Sequence, residues 1–154
     1  MGTQKLSQYQ ETLELIKNYS EKLGYEESDY ITLLSPEREL IVSLPVTMDD
    51  GSIKVFQGYR IQDTSALGPY KGGVRYHPNV DIEEVRALAM LMSLKCSLAN
   101  IPYGGAKGGI TVNPRELSKG ELERLTRKYA EKIYPVIGVD IDIPAPDVNT
   151  NPEI

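Results

Sequence analysis

The apolar segment at residues 82–98 constrains the fold more than any other part of the sequence. Its spacing predicts an α-helix, and Asp81, directly before it, is a suitable N-cap residue. The apolar side chains are not confined to one stripe of this helix and include Val85, Leu88, Ala89 and Met92. Such a helix has to be covered on two sides, as it is when it lies between a sheet and another layer. We therefore expect a layered fold built around a sheet.

Two helical patterns precede the first strand pattern. Apolar residues recur at spacings of three and four over residues 6–23, and this pattern ends at Gly24, which predicts an amphipathic opening helix. Residues 29–34 indicate a short second helix, which should end at Ser35 because the residue before Pro36 avoids the α region.

A two-stranded antiparallel ribbon follows these helices. Residues 38–48 are rich in Ile, Val and Leu, and residues 52–62 alternate apolar with polar side chains. The intervening Asp-Asp-Gly at 49–51 is typical of a hairpin turn. Pro45 places its strand at the edge of a sheet or near a bulge.

The carboxyl-terminal third contains one more helix and one short strand. Ser118 and Glu121 form a capping box that opens a helix through Leu125, Tyr129 and Ile133, which should end at Pro135 or Gly138. Residues 140–143 alternate acid with isoleucine like a strand, and the prolines that follow should turn residues 144–148 into a loop. Strands interleaved with helices predict a layered α/β or α+β domain around a mixed sheet, and we take an α/β fold, a three-layer α/β/α domain, as the leading expectation.

Composition limits the classes of partner and the compartment. The 154 residues carry 17 Lys and Arg against 22 Asp and Glu, a net charge of −5, so the overall field repels nucleic acid and anionic membranes. The longest apolar run, residues 87–94, is too short to span a bilayer. The single cysteine, Cys96, excludes an internal disulfide and favours a reducing, cytoplasmic setting. Because the net charge of the chain is negative, any site for an anion must depend on a local group of cations.

Three lysines in apolar or glycine-rich surroundings indicate such a local site. Lys71 and Lys107 are flanked by glycine pairs, which permit close approach of the backbone to a ligand. Lys95 interrupts the apolar helix at 82–98, and a buried ammonium there should face a carboxylate or a cleft because burial of an unpaired charge is costly. Together they would form a cationic cleft for a small polyanion.

Other interpretations of these residues stay open. Glycine pairs are common in turns beside solvated lysines, and Lys95 could extend its ammonium to solvent from the helix edge. His77 before Pro78 suits a turn better than catalysis, and Cys96 suits a buried apolar role. No metal site is expected among Asp140, Asp142 and Asp147, because two of them alternate with isoleucine as in a strand and no histidine accompanies them.

Neither common nucleotide motif is present. After Lys107 comes Gly108 rather than Ser or Thr, so the phosphate-loop pattern fails. The dinucleotide fingerprint G-x-G-x-x-G is also missing from the sequence. The chain carries a site without a nucleotide-binding half.

Three ordered segments resemble the amino-terminal domain of the glutamate dehydrogenases, in the Glu/Leu/Phe/Val dehydrogenase family. They are GPYKGGVRYHP at 68–78, PYGGAKGG at 102–109 and DIPAPDV at 142–148. The resemblance implies an amino acid dehydrogenase-like substrate-binding and assembly domain over residues 36–154, preceded by a helical segment over residues 1–35. In that family a carboxyl-terminal Rossmann domain binds NAD or NADP, so we expect this chain to be truncated before that domain, whether naturally or by engineering.

The same resemblance implies roles for individual residues. Lys71 matches the lysine that holds the side-chain carboxylate of glutamate, and Lys95 the one that holds the α-carboxylate. Lys107 matches the catalytic lysine that activates water, and Asp147 the acid that exchanges protons with the amino group or imine. Relatives acting on leucine, phenylalanine or valine carry an apolar residue where Lys71 stands, so this lysine favours glutamate as the substrate. Further substrate-binding positions are Gly72, Gly73 and Met92, with Gly104 and Gly105 also allowing close backbone approach.

Elementary electrostatics is consistent with these roles. Like charge from Lys71 and Lys95, together with partial desolvation, should lower the pKa of Lys107 toward neutrality. Asp147 beside lysines should stay ionised and able to take a proton from the substrate ammonium. We also place Lys107 and Asp147 in glycine-rich or proline-rich loops rather than in packed faces.

The resemblance also implies assembly and a division of labour. The complete enzymes of this family are mostly homohexamers that interconvert L-glutamate with 2-oxoglutarate and ammonia in amino acid metabolism. We expect self-association through the stripe of the opening helix and the ribbon edge, unless the stripe packs on its own sheet. NAD or NADP would bind elsewhere in the complete enzyme and not to this chain, which alone should be inactive in hydride transfer. The alternative is a non-catalytic module for assembly or for binding a small anion.

Overall fold

The computed structural model describes residues 6–152. Residues 1–5 of the predicted amino-terminal segment and residues 153–154 of the predicted domain lie outside this range. The α-helices are α1 (Gln8–Lys22), α2 (Glu27–Tyr30), α3 (Ile82–Leu98) and α4 (Lys119–Ile133). The strands are β1 (Arg38–Thr47), β2 (Ile53–Thr64), β3 (Tyr70–His77), β4 (Gly104–Thr111) and β5 (Asp142–Pro146). Short 3₁₀ segments follow α2, β4 and α4.

The strands form one mixed sheet in the order β1-β2-β4-β3-β5. β1 and β2 form the predicted antiparallel ribbon, and β2 pairs antiparallel with β4. β3 runs parallel to both β4 and β5. The connection from β3 to β4 passes through α3, whereas the connection from β4 to β5 passes through α4.

Helices cover both faces of the sheet, which confirms the three-layer architecture. On one face α3 packs on β2 and β4, where Tyr59 and Ile61 meet Val85 and Ala89. On the other face α4 packs over the larger core, which includes Leu44, Phe56, Tyr76, Ile110, Leu125 and Tyr129. α1 lies on the outer side of α3, so α3 is covered on two sides as its sequence predicts. No helix within residues 6–152 is long and apolar enough to cross a membrane.

Side-chain caps fix the starts of three helices, two of which, at Asp81 and Ser118, the sequence indicates, whereas the cap at Ser7 is found in the structure. Ser7 and Ser118 each form a complete capping box, at the starts of α1 and α4. Asp81 accepts a hydrogen bond from the backbone of Glu84 at the start of α3. Gly24 follows α1 with φ of +83°, a conformation that glycine adopts without strain.

Two predicted elements have different bounds in the structure. The second helix begins at Glu27, two residues before the predicted start, and continues as a 3₁₀ segment over Ile31–Leu34. The last strand begins at Asp142 and contains the prolines that were expected to end it. β5 can hold these prolines because it is an edge strand, with β3 as its one neighbouring strand among residues 6–152, so a missing N–H on its outer side breaks no ladder bond. Pro45 likewise lies on the edge strand β1, as predicted.

A buried ion pair ties the edge strand β5 to β2 across the two strands between them. The Arg60 and Asp142 side chains are both fully buried, and Arg60 Nε donates to Asp142 Oδ2 at 2.8 Å, with a second bond from Nη2 to Oδ1. Gln62 Nε2 donates to the same carboxylate at 2.7 Å, and Arg60 Nη1 donates to the carbonyl of Gly72 at 3.2 Å. A Cβ at position 108 would lie 3.3 Å from Arg60 Nη1, so Gly108 leaves room for the guanidinium where it crosses β4.

Candidate active site

The face of the sheet that carries α3 also carries the charged residues of the candidate site. Lys71 pairs with Gly105 and Arg75 with Gly109 in the β3–β4 ladder, so Lys107 lies between them on the neighbouring strand. Asp147 follows directly after β5, which continues the sheet on the other side of β3. The three parallel strands β3, β4 and β5 therefore deliver three cations, Lys71, Arg75 and Lys107, and one anion, Asp147, to one place.

Lys107 and Asp147 form an ion pair at the centre of this site. Lys107 Nζ lies 2.8 Å from Asp147 Oδ2, and Lys107 is only 6% exposed. Burial lowers the pKa of Lys107 and the nearby Arg75 lowers it further, while Asp147 opposes this, and the net direction is downward. A lysine of this kind can exchange a proton at a pH closer to neutrality than an exposed one.

Asp147 remains the ionised partner. Burial raises the pKa of its carboxyl, but hydrogen bonds from Lys107 and Arg75 outweigh this and hold the pKa below the ordinary 3.8. Arg75 Nε lies 2.9 Å from the same Oδ2 atom. The Arg75 guanidinium also reaches Glu84, at the start of α3, with Nη1 2.6 Å from Oε1.

The loop after β5 holds Asp147 in place. The backbone N–H of Asp147 donates to Thr150 Oγ1 at 2.7 Å, and this hydroxyl in turn donates to the carbonyl of Val74 on β3 at 2.8 Å. Asn149 has φ of +58°, and its Nδ2 donates to the carbonyl of Tyr76 at 2.9 Å. Side chains thus extend the pairing between β5 and β3 beyond the last proline.

Lys71 and Lys95 lie at the other end of the site, near Cys96. Lys71 on β3 is half-buried, and Lys95 in the last turn of α3 is exposed. Burial raises the pKa of the Cys96 thiol, and the charges of Lys71 and Lys95 offset only part of that rise. Across residues 6–152 neither lysine forms an ion pair with a carboxylate. Within the described residues, therefore, no ion pair neutralises these two cations.

The glycines of the site are required by packing within the protein. A Cβ at Gly72 would lie 1.5 Å from the carbonyl oxygen of Ala106, and one at Gly105 would lie 2.2 Å from the Ser93 hydroxyl on α3. A Cβ at Gly104 would lie 2.0 Å from a backbone oxygen of β2. Gly73 is different, because its missing side chain would point at Asp147, 2.7 Å from its Cβ. Of these positions, Gly73 is the one that borders the charged residues.

Residues 36–154 match the family described as Glu/Leu/Phe/Val dehydrogenase, dimerisation domain. The chain belongs to this family. The match confirms the resemblance carried by the three sequence segments, and it covers all of the charged site residues described above.

Individual members of the family are similar over most of this chain. The NAD-specific glutamate dehydrogenase of Clostridioides difficile is 56% identical over 139 residues, which is 90% of this chain and 33% of that protein. The NADP(+)-dependent glutamate dehydrogenase of Pyrobaculum calidifontis is 53% identical over 143 residues, 93% of this chain and 34% of that protein. The chain thus spans about a third of the length of these curated relatives.

Solved structures of the family share the fold. Glutamate dehydrogenase from Peptoniphilus asaccharolyticus superposes with a TM-score of 0.93 at 49% identity, covering 96% of this chain and 37% of that one. The hetero-hexameric glutamate dehydrogenase from Thermus thermophilus superposes with a TM-score of 0.90 at 39% identity, covering 98% of this chain and 36% of that one. The amino acid dehydrogenase-like fold predicted from the sequence is therefore confirmed.

Three expectations about the dehydrogenase-type site are wrong in detail. Lys107 lies within strand β4, not in a loop, because its flanking glycines pack in the sheet rather than forming a turn. Burial lowers its pKa most, and the leading cation among the causes of the shift is Arg75 rather than Lys71 or Lys95. Lys95 is exposed rather than buried, which agrees with the open alternative in which its ammonium extends to solvent from the helix edge.

Two ion pairs were missed from the sequence, one in the site and one in the core of the fold. Arg75 stands in the first quoted segment, and its alternation with Lys71 and Gly73 would have placed all three on one face once the segment was read as a strand. The pairing of Asp142 with Arg60 joins residues 82 positions apart, and no local pattern predicts it.

Met92 lies half-buried on α3, beside Ser93. Within residues 6–152 no group of three or more His, Cys, Asp or Glu side chains is placed to hold a metal ion.

Proposed function

We propose that this chain is the substrate-binding and assembly domain of an NAD(P)-dependent glutamate dehydrogenase acting in the cytoplasm. The observation that carries the proposal is the Lys107–Asp147 pair at 2.8 Å, on the same sheet face as the unneutralised Lys71. This arrangement combines a proton-exchanging lysine, an ionised carboxylate and a free cation. Glutamate and 2-oxoglutarate each carry two carboxylates, which such a site can bind.

In this proposal each charged residue has one task. Lys71 binds the side-chain carboxylate, and Lys95 binds the α-carboxylate. Lys107 activates a water molecule for attack on the imine carbon and donates a proton to the carbonyl oxygen in the reverse direction. Asp147, which stays ionised, accepts a proton from the substrate ammonium. Gly72, Gly73 and Met92 complete the proposed substrate site.

The dinucleotide does not fit the residues of this chain. The segments that lead from β3 to α3 and from β4 to α4 are residues 78–81 and 112–118, and neither contains glycine. A dinucleotide pyrophosphate is normally held at a glycine-rich turn between a strand and a helix. We therefore assign NAD or NADP, and the hydride transfer, to a part of the enzyme other than this chain.

Binding of the keto acid tests the substrate assignment without any coenzyme. Titration of the labelled chain with 2-oxoglutarate, followed by NMR, should shift the amide signals of Lys71 and Lys107, whereas 2-oxohexanoate, which lacks the second carboxylate, should bind more weakly. Lys71→Leu should abolish this preference. Lys132→Leu, on the exposed surface of α4, is the matched control and should retain it. Equal binding of both keto acids by the unaltered chain would contradict the assignment to glutamate.

Self-association is the second part of the proposal. Strand β1 is an unpaired edge of the sheet, and Ile41, Ile53 and Val55 of the ribbon are at least half exposed. α1 packs on α3 through Thr12 and Ile16 rather than on the sheet. Apolar side chains on and after α1 remain exposed, namely Leu15, Tyr19, Leu23 and Tyr25. Surfaces of this kind are buried when identical subunits pair.

A further inference from the structure

The charged residues of the site form one chain of contacts rather than a single pair. Lys107 contacts Asp147, Asp147 contacts Arg75, and Arg75 contacts Glu84. Positive and negative charges alternate along this series, and two charges of each sign make it neutral as a whole. The substrate site uses only the first two members. The task of Arg75 and Glu84 is therefore a separate question.

Arg75 is held from two sides. Its strand β3 fixes the backbone, and Glu84 in the first turn of α3 fixes the guanidinium at 2.6 Å. A guanidinium is planar, so once one edge is bound by Glu84, the direction in which Nε points is set. Nε points at Asp147 Oδ2, the same oxygen that Lys107 contacts. Arg75 thus orients the carboxylate toward the lysine.

Arg75 also differs from Lys107 in keeping its charge. Burial lowers the pKa of Arg75, but Asp147 and Glu84 raise it by more than burial lowers it, so the net direction is upward. Lys107 has a lowered pKa and loses its proton more readily. When it does so, Asp147 would be left half-buried without a counter-ion if Lys107 were its only cationic partner. The described charged groups that face Asp147 are Lys107 from β4 and Arg75 from β3, with Glu84 from α3 behind Arg75.

We propose that Arg75, braced by Glu84, is a positioning residue that acts as the permanent counter-ion of Asp147 and fixes its carboxylate against Lys107. The proposal rests on the proposed function for its catalytic meaning, but its geometry does not depend on it. Its consequence is that Lys107 can gain and lose a proton while Asp147 stays ionised and in place.

The test measures the pKa of the Asp147 carboxyl directly, in the full chain without substrate. Carbon-13 NMR of labelled aspartate over a pH series should give a pKa about one to three units higher in Arg75→Gln than in the unaltered chain. Arg75→Lys keeps the charge and should return most of that rise. Arg86→Gln is the matched control, since Arg86 also lies on this side of the fold and binds two carboxylates, Glu39 and Glu83.

A second measurement keeps the proposal testable if Arg75→Gln does not fold. The Nε–Hε signal of Arg75 in the unaltered chain should be protected from exchange with water, and Asp147→Asn should shift it. An Asp147 pKa that is the same with and without Arg75 would overturn the proposal. An equal rise in Arg86→Gln, or an unprotected Arg75 Nε–Hε, would overturn it as well.

The same variants separate this proposal from the proposed function. In a protein that joins this chain to the coenzyme-binding part of a glutamate dehydrogenase, Arg75→Gln should lower kcat and move the acidic limb of its pH profile upward, with less change in KM. A fused protein that oxidises no glutamate even with Arg75 intact would contradict the dehydrogenase assignment while leaving the NMR result unaffected. If Arg75→Gln raises the pKa of Asp147 as expected but leaves kcat and its pH profile unaltered, the positioning role is overturned.

Discussion

Replacing Arg60 by methionine should destabilise this chain more than any loss of a surface ion pair. The substitution keeps an unbranched apolar stem but removes the guanidinium from a carboxylate that has no exposed surface. Asp142 loses the bonds from Nε and Nη2 and keeps only the one from Gln62, while the Gly72 carbonyl loses its bond from Nη1. Breaking a buried pair on one side costs about 3–5 kcal/mol. For a chain of this length that corresponds to a drop of roughly 6 to 20 °C in Tm.

Urea unfolding and calorimetry of the chain at neutral pH measure this loss. Arg124→Met is the control, because it removes a guanidinium from Asp49 in a pair that is about half exposed, and it should change the midpoint little. The double variant Arg60→Met with Asp142→Leu should recover much of the stability, since an apolar pair can replace a buried ionic one. An Arg60→Met chain as stable as Arg124→Met would show that β5 does not depend on this pair.

The remaining predictions concern chemistry, pH and assembly. In the fused dehydrogenase, Lys107→Met and Asp147→Asn should each lower kcat by about 10²- to 10⁴-fold, and near-normal turnover would remove that residue from the mechanism. Lys71→Leu should lower the preference for glutamate over norleucine, since a charge-assisted contact contributes roughly 1.5–3 kcal/mol, or about ten- to over a hundredfold. Burial raises the pKa of Asp147, but its cationic partners lower it by more, so the net pKa lies below the ordinary 3.8. The ionised carboxylate therefore stabilises the chain above that pH, and this stabilisation is lost as the pH falls. Asp147→Asn should accordingly cost less free energy of unfolding near about pH 3 than near about pH 6, as measured by urea unfolding. Light scattering of the chain at tens of micromolar should give a mass of two, three or six subunits, and the mass of one subunit would contradict self-association.

The sequence predicts the helices of this fold well because their start and stop residues act locally. Ser7, Asp81 and Ser118 cap the helices they precede, and each bonds to a backbone N–H three residues away. The antiparallel ribbon is similarly local, since its two strands are joined by a tight turn. Such elements depend on neighbours in sequence, which a pattern can show.

The glycine-rich strands β3 and β4 could not be recognised in the same way. Their glycines lack the β-branched and apolar alternation that predicts a strand, and they are explained by atoms from distant elements. Gly105 is needed because Ser93 of α3 lies over it, and Gly108 because Tyr129 and Arg60 lie over it. The resemblance to the family identified the charged residues, but their pairing through Arg75 depends on the strand register, which the glycines conceal.

Because Asp147 follows β5, the buried Arg60–Asp142 pair in the core also affects the position of Asp147 in the site. β5 has one neighbouring strand and two prolines, so its own backbone holds it weakly, and it is the strand most prone to local opening. It is held at both ends, by the bond of its first residue, Asp142, to Arg60 and by the bond of Thr150, in the loop after it, to β3. Asp147 lies between these two bonds. A substitution that loosens either bond would therefore show itself first as faster amide exchange in β5, and as a defect in chemistry in a protein whose global stability is still sufficient for folding.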